Sequence, residues 1–100
     1  MEQLTRIHEM ERRREEATAA VRQMEEAVES YEAALEAVAV LEAYLGSEEW
    51  RQDLSDDERG LLPQDLKRGV LSEDGIWNLL EENHELALRI KDLSDKLLKG

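Results

Sequence analysis

YLGSEEWRQDLSDDERGLLPQDLKRGVLSEDGIW, residues 44–77, interrupts two regular helical patterns and organises everything around it. It holds both tryptophans, the only proline and four of the five glycines. Gly46 supplies a stop for the preceding helix, and Ser47 is placed to cap the next one. That helix is expected to run through Leu54, with Trp50 and Leu54 four apart on one face. Ser55-Asp56-Asp57-Glu58 has the spacing of a capping box, but Gly60 follows too soon for a long helix. Pro63 suits the first turn of a second short helix through Arg68, closed by Gly69. Ser72 reads as the cap of the last helix. Leu61, Leu62, Leu66, Val70 and Leu71, with Trp50 and Trp77, are expected to form a small apolar cluster that closes this corner. Tyr44 belongs to the same cluster, and its hydroxyl needs a partner if buried.

Outward to the N-terminal side, residues spaced alternately three and four apart read Ile7, Met10, Arg14, Ala17, Val21, Met24, Val28, Tyr31, Leu35 and Val38. A heptad seam sustained this long argues for a coiled-coil helix. Glu2/Arg6 and Glu9/Arg13 are i,i+4 pairs in the favourable orientation, each contributing ~0.3 kcal/mol. Outward to the C-terminal side, Ile76, Leu79, Asn83, Leu86, Ile90, Leu93 and Leu97 mark the last helix. The expected fold is therefore all-α in a single domain: a long helix (1–45), a two-helix insert (46–71) and a shorter helix (72–99) packed antiparallel on the first. The first helix is roughly 65 Å long and the last about 40 Å. The last would therefore run out near Val21 and leave the first twenty or so residues without cover. An unaccompanied amphipathic helix is marginal in water. A homodimer seamed by Ile7, Met10, Arg14, Ala17 and Val21 is expected, with Arg14 as a polar position that sets register.

Composition bounds the function. The chain has 100 residues, no cysteine and a net charge of −12. Disulfides, thiolate nucleophiles and thiolate metal sites are excluded, which fits a reducing cytoplasm. MEQLTRIHEMERRREE has no apolar core of the kind a signal peptide needs, and no apolar run suits a membrane span. The charge is uneven: residues 1–22 balance five Arg against five Glu, whereas residues 23–58 carry twelve acids against Arg51 alone. Such a field argues against direct nucleic-acid binding, which draws its affinity from cationic contacts to phosphate. It suits a solvated helix face, a basic partner, or a mimic of nucleic acid.

GSEEW (46–50), GLLPQDLKRGVLSEDGIWNLL (60–80) and the tyrosine-bearing LEAYLGS resemble a bacterial family of small acidic proteins, domain-of-unknown-function family 4298. The likeness is densest from Glu42 to Leu80. The family pattern carries paired aromatics before the glycine, where this chain has Tyr44-Leu45. The resemblance implies a bacterial, all-helical, cytoplasmic protein and lends no activity.

Among residues that could carry chemistry, Lys67 and Arg68 stand beside Asp65 behind an acidic third of the chain. They read either as an anchor for a carboxylate or phosphate, or as cations ending a short helix and pairing with acids of the first helix. Glu81 and His84 have the E-x-x-H spacing of carboxylate-bridged metal sites, but the motif occurs once and both residues are expected to point outward. No metal or cofactor is expected. No nucleophile–base arrangement stands out, so the chain reads as a non-enzyme. The expectation is a cytoplasmic interaction or scaffold module for another protein. Its candidate partner-binding rim is Lys67, Arg68, Asp65, Glu48, Glu49, Asp56 and Asp57. The alternative is an acidic inhibitor that mimics nucleic acid in a basic groove.

Overall fold

The computed structural model describes residues 2–99. They form α1 (Gln3–Tyr44), α2 (Glu48–Glu58), a 3-10 turn (Gly69–Leu71) and α3 (Glu73–Lys99), with no strand among them. The protein is all-α. Two compact units divide it, one reaching to Glu36 and the other beginning at Ala37.

The first unit is the greater part of α1. Helix-forming Glu, Arg, Ala and Met populate it, and no proline or glycine interrupts it. Short-range ion pairs lace its surface: Glu9 bridges Arg12 at 2.7 Å and Arg13 at 3.0 Å, and Arg14 reaches Glu11 at 3.4 Å. The Arg12 guanidinium, with Arg13 behind it, holds the Glu9 carboxyl below the ordinary carboxylate value. Glu9/Arg13 thus pairs as expected. The Glu2 carboxylate instead accepts from the Thr5 hydroxyl at 3.3 Å. No described residue of α1 is buried.

The second unit is a corner built by local signals. Gly46 adopts φ +80°, which ends α1 where an L side chain would be strained. The Ser47 hydroxyl accepts from the Trp50 amide at 3.1 Å and caps α2. Gly60, at φ +72°, closes α2: its amide bonds the Asp57 carbonyl and the Leu61 amide bonds Asp56, the paired bonds of a Schellman motif. The Ser72 hydroxyl accepts from the Gly75 amide at 3.0 Å and caps α3. Both α2 and α3 pack on the 3-10 turn. Among the described residues only Leu71 and Ile76 are buried, at 7% and 2% exposure. Leu41, Tyr44, Leu45, Trp50, Leu54, Leu62 and Leu80 are half-buried around them.

Three local expectations need correction. The first short helix does not end at Leu54: α2 runs on through Ser55 to Glu58, the Ser55 carbonyl accepting from the Arg59 amide at 3.0 Å. Extending a formed helix costs less than nucleating another. Residues 63–68 are not helical: a single turn closes from the Leu66 amide to the Pro63 carbonyl at 3.3 Å. The carbonyls of Pro63, Gln64 and Leu66 are taken by the Arg68 guanidinium, which satisfies acceptors that a helix would use. Trp77 is no core anchor, being 54% exposed. In the seam of α3 it directly follows Ile76, so burying Ile76 turns it away.

Candidate functional site

Three surfaces bear on function: the rim of the corner, a groove beside Trp77, and the apolar stripes of α1 and α3. On the rim, Arg68 donates to the Asp57 carboxylate at 2.5 Å, to the Leu66 carbonyl at 2.8 Å, to Gln64 at 3.0 Å and to Pro63 at 2.5 Å. A planar guanidinium is suited to several acceptors in one plane. Arg68 is thereby the clasp that fastens the 61–68 loop to α2. The expectation that it would close a short helix and pair with α1 gives way to this arrangement, in which Arg68 and Asp57 neutralise each other.

Asp56 is engaged too, accepting from the Gln52 amide at 2.8 Å. Glu48 and Glu49 stand exposed in the first turn of α2, where its dipole favours them. Asp65 and Lys67 are exposed, and neither has an ion-pair partner among the described residues. Lys67 overlooks a groove of about 420 Å³ shared with Leu41, Ile76 and Leu79. The candidate rim therefore divides: Arg68, Asp57 and Asp56 hold the fold, whereas Lys67, Asp65, Glu48 and Glu49 face outward.

Tyr44 has the partner its hydroxyl needed. It donates to the Asp53 carboxylate at 2.5 Å across the Gly46 turn. That hydrogen bond, with burial and the negative charge of Asp53, pushes the phenol up to about 12. The Trp50 indole N–H donates to the Val70 carbonyl at 2.9 Å, tying α2 to the 3-10 turn. Sequence reasoning identified both aromatics but not these acceptors, which lie nine and twenty positions away.

Exposed Trp77 lines a groove of about 500 Å³ with Glu42, Glu81, Asn83 and His84. Glu81 and His84 both point outward, as the seam register requires. Among the described residues no cluster of three or more His, Asp or Glu is gathered in a metal-ligating arrangement.

The stripes are the most extensive feature. Ile7, Met10 and Val21 are 49–58% exposed, and Arg14, turned to Glu11, is exposed with them. Ala17 is exposed in the same row. On α3, Leu86, Ile90, Leu93 and Leu97 range from 40% to 70%. Among the described residues no helix is long and apolar enough to cross a membrane.

Residues 7–93 match the family model described as "Domain of unknown function (DUF4298)". No curated protein and no solved structure matches the chain.

Proposed function

The chain belongs to the DUF4298 family, and from that premise we propose that it is a non-enzymatic protein–protein interaction module, self-associating through its long helices and working in a bacterial cytoplasm. One observation carries the reading. On α1, Ile7, Met10, Val21, Met24 and Val28 stand at heptad spacing and are 41–58% exposed, and on α3 Leu86, Ile90, Leu93 and Leu97 are 40–70% exposed. Apolar rows of this extent suit an interaction surface, so exposure and pattern agree.

The seam of Ile7, Met10, Arg14, Ala17 and Val21 is the dimer contact in this reading. Antiparallel packing of α3 on α1 would account for the α3 stripe, and so would α3 of one copy on α1 of another. Lys67, Asp65, Glu48 and Glu49 form the rim left for a further protein partner. Light scattering tests the reading directly: the expected mass is that of a dimer. Arg14→Leu is expected to raise thermal stability or change oligomer size, because it removes a charge from a seam. A single-chain mass, with Arg14→Leu altering neither quantity, would place these positions on solvent and refute it.

A second reading rests on charge. Of the twelve acids in residues 23–58, Asp57 alone has an ion-pair partner among the described residues. An acidic surface so uncompensated suits an inhibitor that occupies a basic groove of a nucleic-acid enzyme. It requires capture of such enzymes that weakens with salt, and salt-indifferent capture would exclude it.

A further inference from the structure

The fold treats its two tryptophans differently. The Trp50 indole N–H is bonded to the Val70 carbonyl, whereas Trp77 is 54% exposed and its indole N–H has no partner among the described residues. Trp77 does not stand on open surface. It lines the groove of about 500 Å³ with Glu42, Glu81, His84 and Glu85. All of these residues belong to the second compact unit, so the groove is formed within it.

The charge of this groove is one-sided. Trp77, Glu81 and Glu85 follow at four-residue intervals and so share one face of α3. Glu42, near the end of α1, adds a carboxylate from a different element. No lysine or arginine lines the groove among the described residues. Glu42, Glu81 and Glu85 are all exposed, and among the described residues none has an ion-pair or side-chain hydrogen-bond partner. Arg89 follows Glu85 by four residues, the favourable orientation for a pair, yet the two are not paired. Glu81 and Glu85 meanwhile repel one another one turn apart, a local cost that a bound cation would remove.

Carboxylates alone would make a solvated helix face. The indole changes this, because its face attracts a cation and Glu81 lies one turn on, about 6 Å along the axis. A guanidinium can use both at once: its plane stacks on the ring while its N–H edge forks onto a carboxylate. The compact ammonium of lysine lacks that geometry. In an extended segment, side chains two residues apart lie on one side at ~6.6–7 Å, close to the ~6 Å between Glu81 and Glu85. The net charge of −12 draws such a segment in.

Resting on the protein-interaction reading but not on self-association, we propose that this groove binds an extended basic segment of a partner protein. One arginine stacks on Trp77 and forks onto Glu81. A second, two residues on, meets Glu85, and Glu42 adds to the field.

Calorimetric titration of the whole chain tests this, using a capped pentapeptide with arginine at its second and fourth positions and alanine elsewhere. Saturable binding is expected, with a change in tryptophan emission that Trp77→Leu abolishes. Trp77 is exposed, so Trp77→Leu should keep the wild-type circular dichroism while weakening binding at least about fivefold. Glu81→Gln/Glu85→Gln should weaken it comparably. Glu15→Gln/Asp92→Asn removes the same charge outside the groove and should leave affinity within about twofold. Absence of saturable binding to the wild type would overturn the proposal, as would equal affinity for the lysine version of the peptide. An equal loss in Glu15→Gln/Asp92→Asn would assign binding to the diffuse field and overturn it too. Free arginine binding as tightly as the peptide would assign the groove to a small cation instead. Light scattering keeps the two levels apart: a single-chain mass refutes self-association and leaves the groove standing, whereas a dimer indifferent to the peptide removes the groove alone.

Discussion

Removing the Arg68 clasp should loosen the loop from α2 while leaving all three helices intact. In Arg68→Ala the Asp57 carboxylate loses its cation, the carbonyls of Gln64 and Leu66 lose the guanidinium donor, and Pro63 keeps only the Leu66 amide. Hydrogen bonds to charged groups contribute ~1.5–3 kcal/mol each, and a simple sum over four would overstate the loss. The side chains of Arg68 and Asp57 retain 32% and 21% exposure, so water replaces part of what is removed and screens the charge pair. The three carbonyls also belong to an exposed loop. A net loss of about 2–3 kcal/mol follows, equivalent to a Tm fall on the order of 10 °C for a chain this short. Urea unfolding followed by tryptophan fluorescence is the assay, since Trp50 is tied to Val70 beside the clasp. Protein concentration must be held constant, because an association equilibrium makes apparent stability depend on it. Combined with Asp57→Asn, the two substitutions should cost less than the sum of their separate effects, with coupling of about 1 kcal/mol. A loss below about 0.5 kcal/mol, with no coupling, would show that Arg68 is a surface cation and return it to the candidate binding rim.

Tyr44 links stability to alkaline pH. Below its ordinary value of 10.0 the phenol is protonated both folded and unfolded, so its contribution is complete there. Between that value and about 12 the unfolded chain loses the proton while the folded chain keeps it, so stability should fall as pH rises through this window. Tyr44→Phe should flatten that part of the urea-midpoint profile; identical slopes in the two proteins would disprove the Asp53 link. Gly75→Ala should destabilise the corner by ~1–3 kcal/mol, because a Cβ there would fall on the Gly69 carbonyl oxygen and press on the Ser72 hydroxyl. A thermal melt unchanged from wild type would mean that the 3-10 turn and the first turn of α3 are not in close approach.

Helix ends were legible in the residues because capping is local. Gly46 and Gly60 need a left-handed backbone, Ser47 and Ser72 need only an amide three residues on, and a heptad row is visible wherever it occurs. Family membership was legible for the same reason, resting on long wording such as LPQDLKRGVLSED. The missed features depend on groups distant in sequence. Pro63 suits a helix start, yet Arg68 takes the carbonyls of that segment while holding Asp57, eleven residues earlier. Tryptophan composition suggests a core, yet the adjacent positions 76 and 77 cannot both face inward on one helix, and Ile76 takes the interior.

By itself, then, the sequence determined the element types, their stops and caps, and the two apolar rows, since each is set by contacts within a helical turn or two. Tertiary structure decided which polar groups are consumed by the fold and which tryptophan is outside. Those outcomes come from competition for a small interior. In this corner, among the described residues, only Leu71 and Ile76 win it.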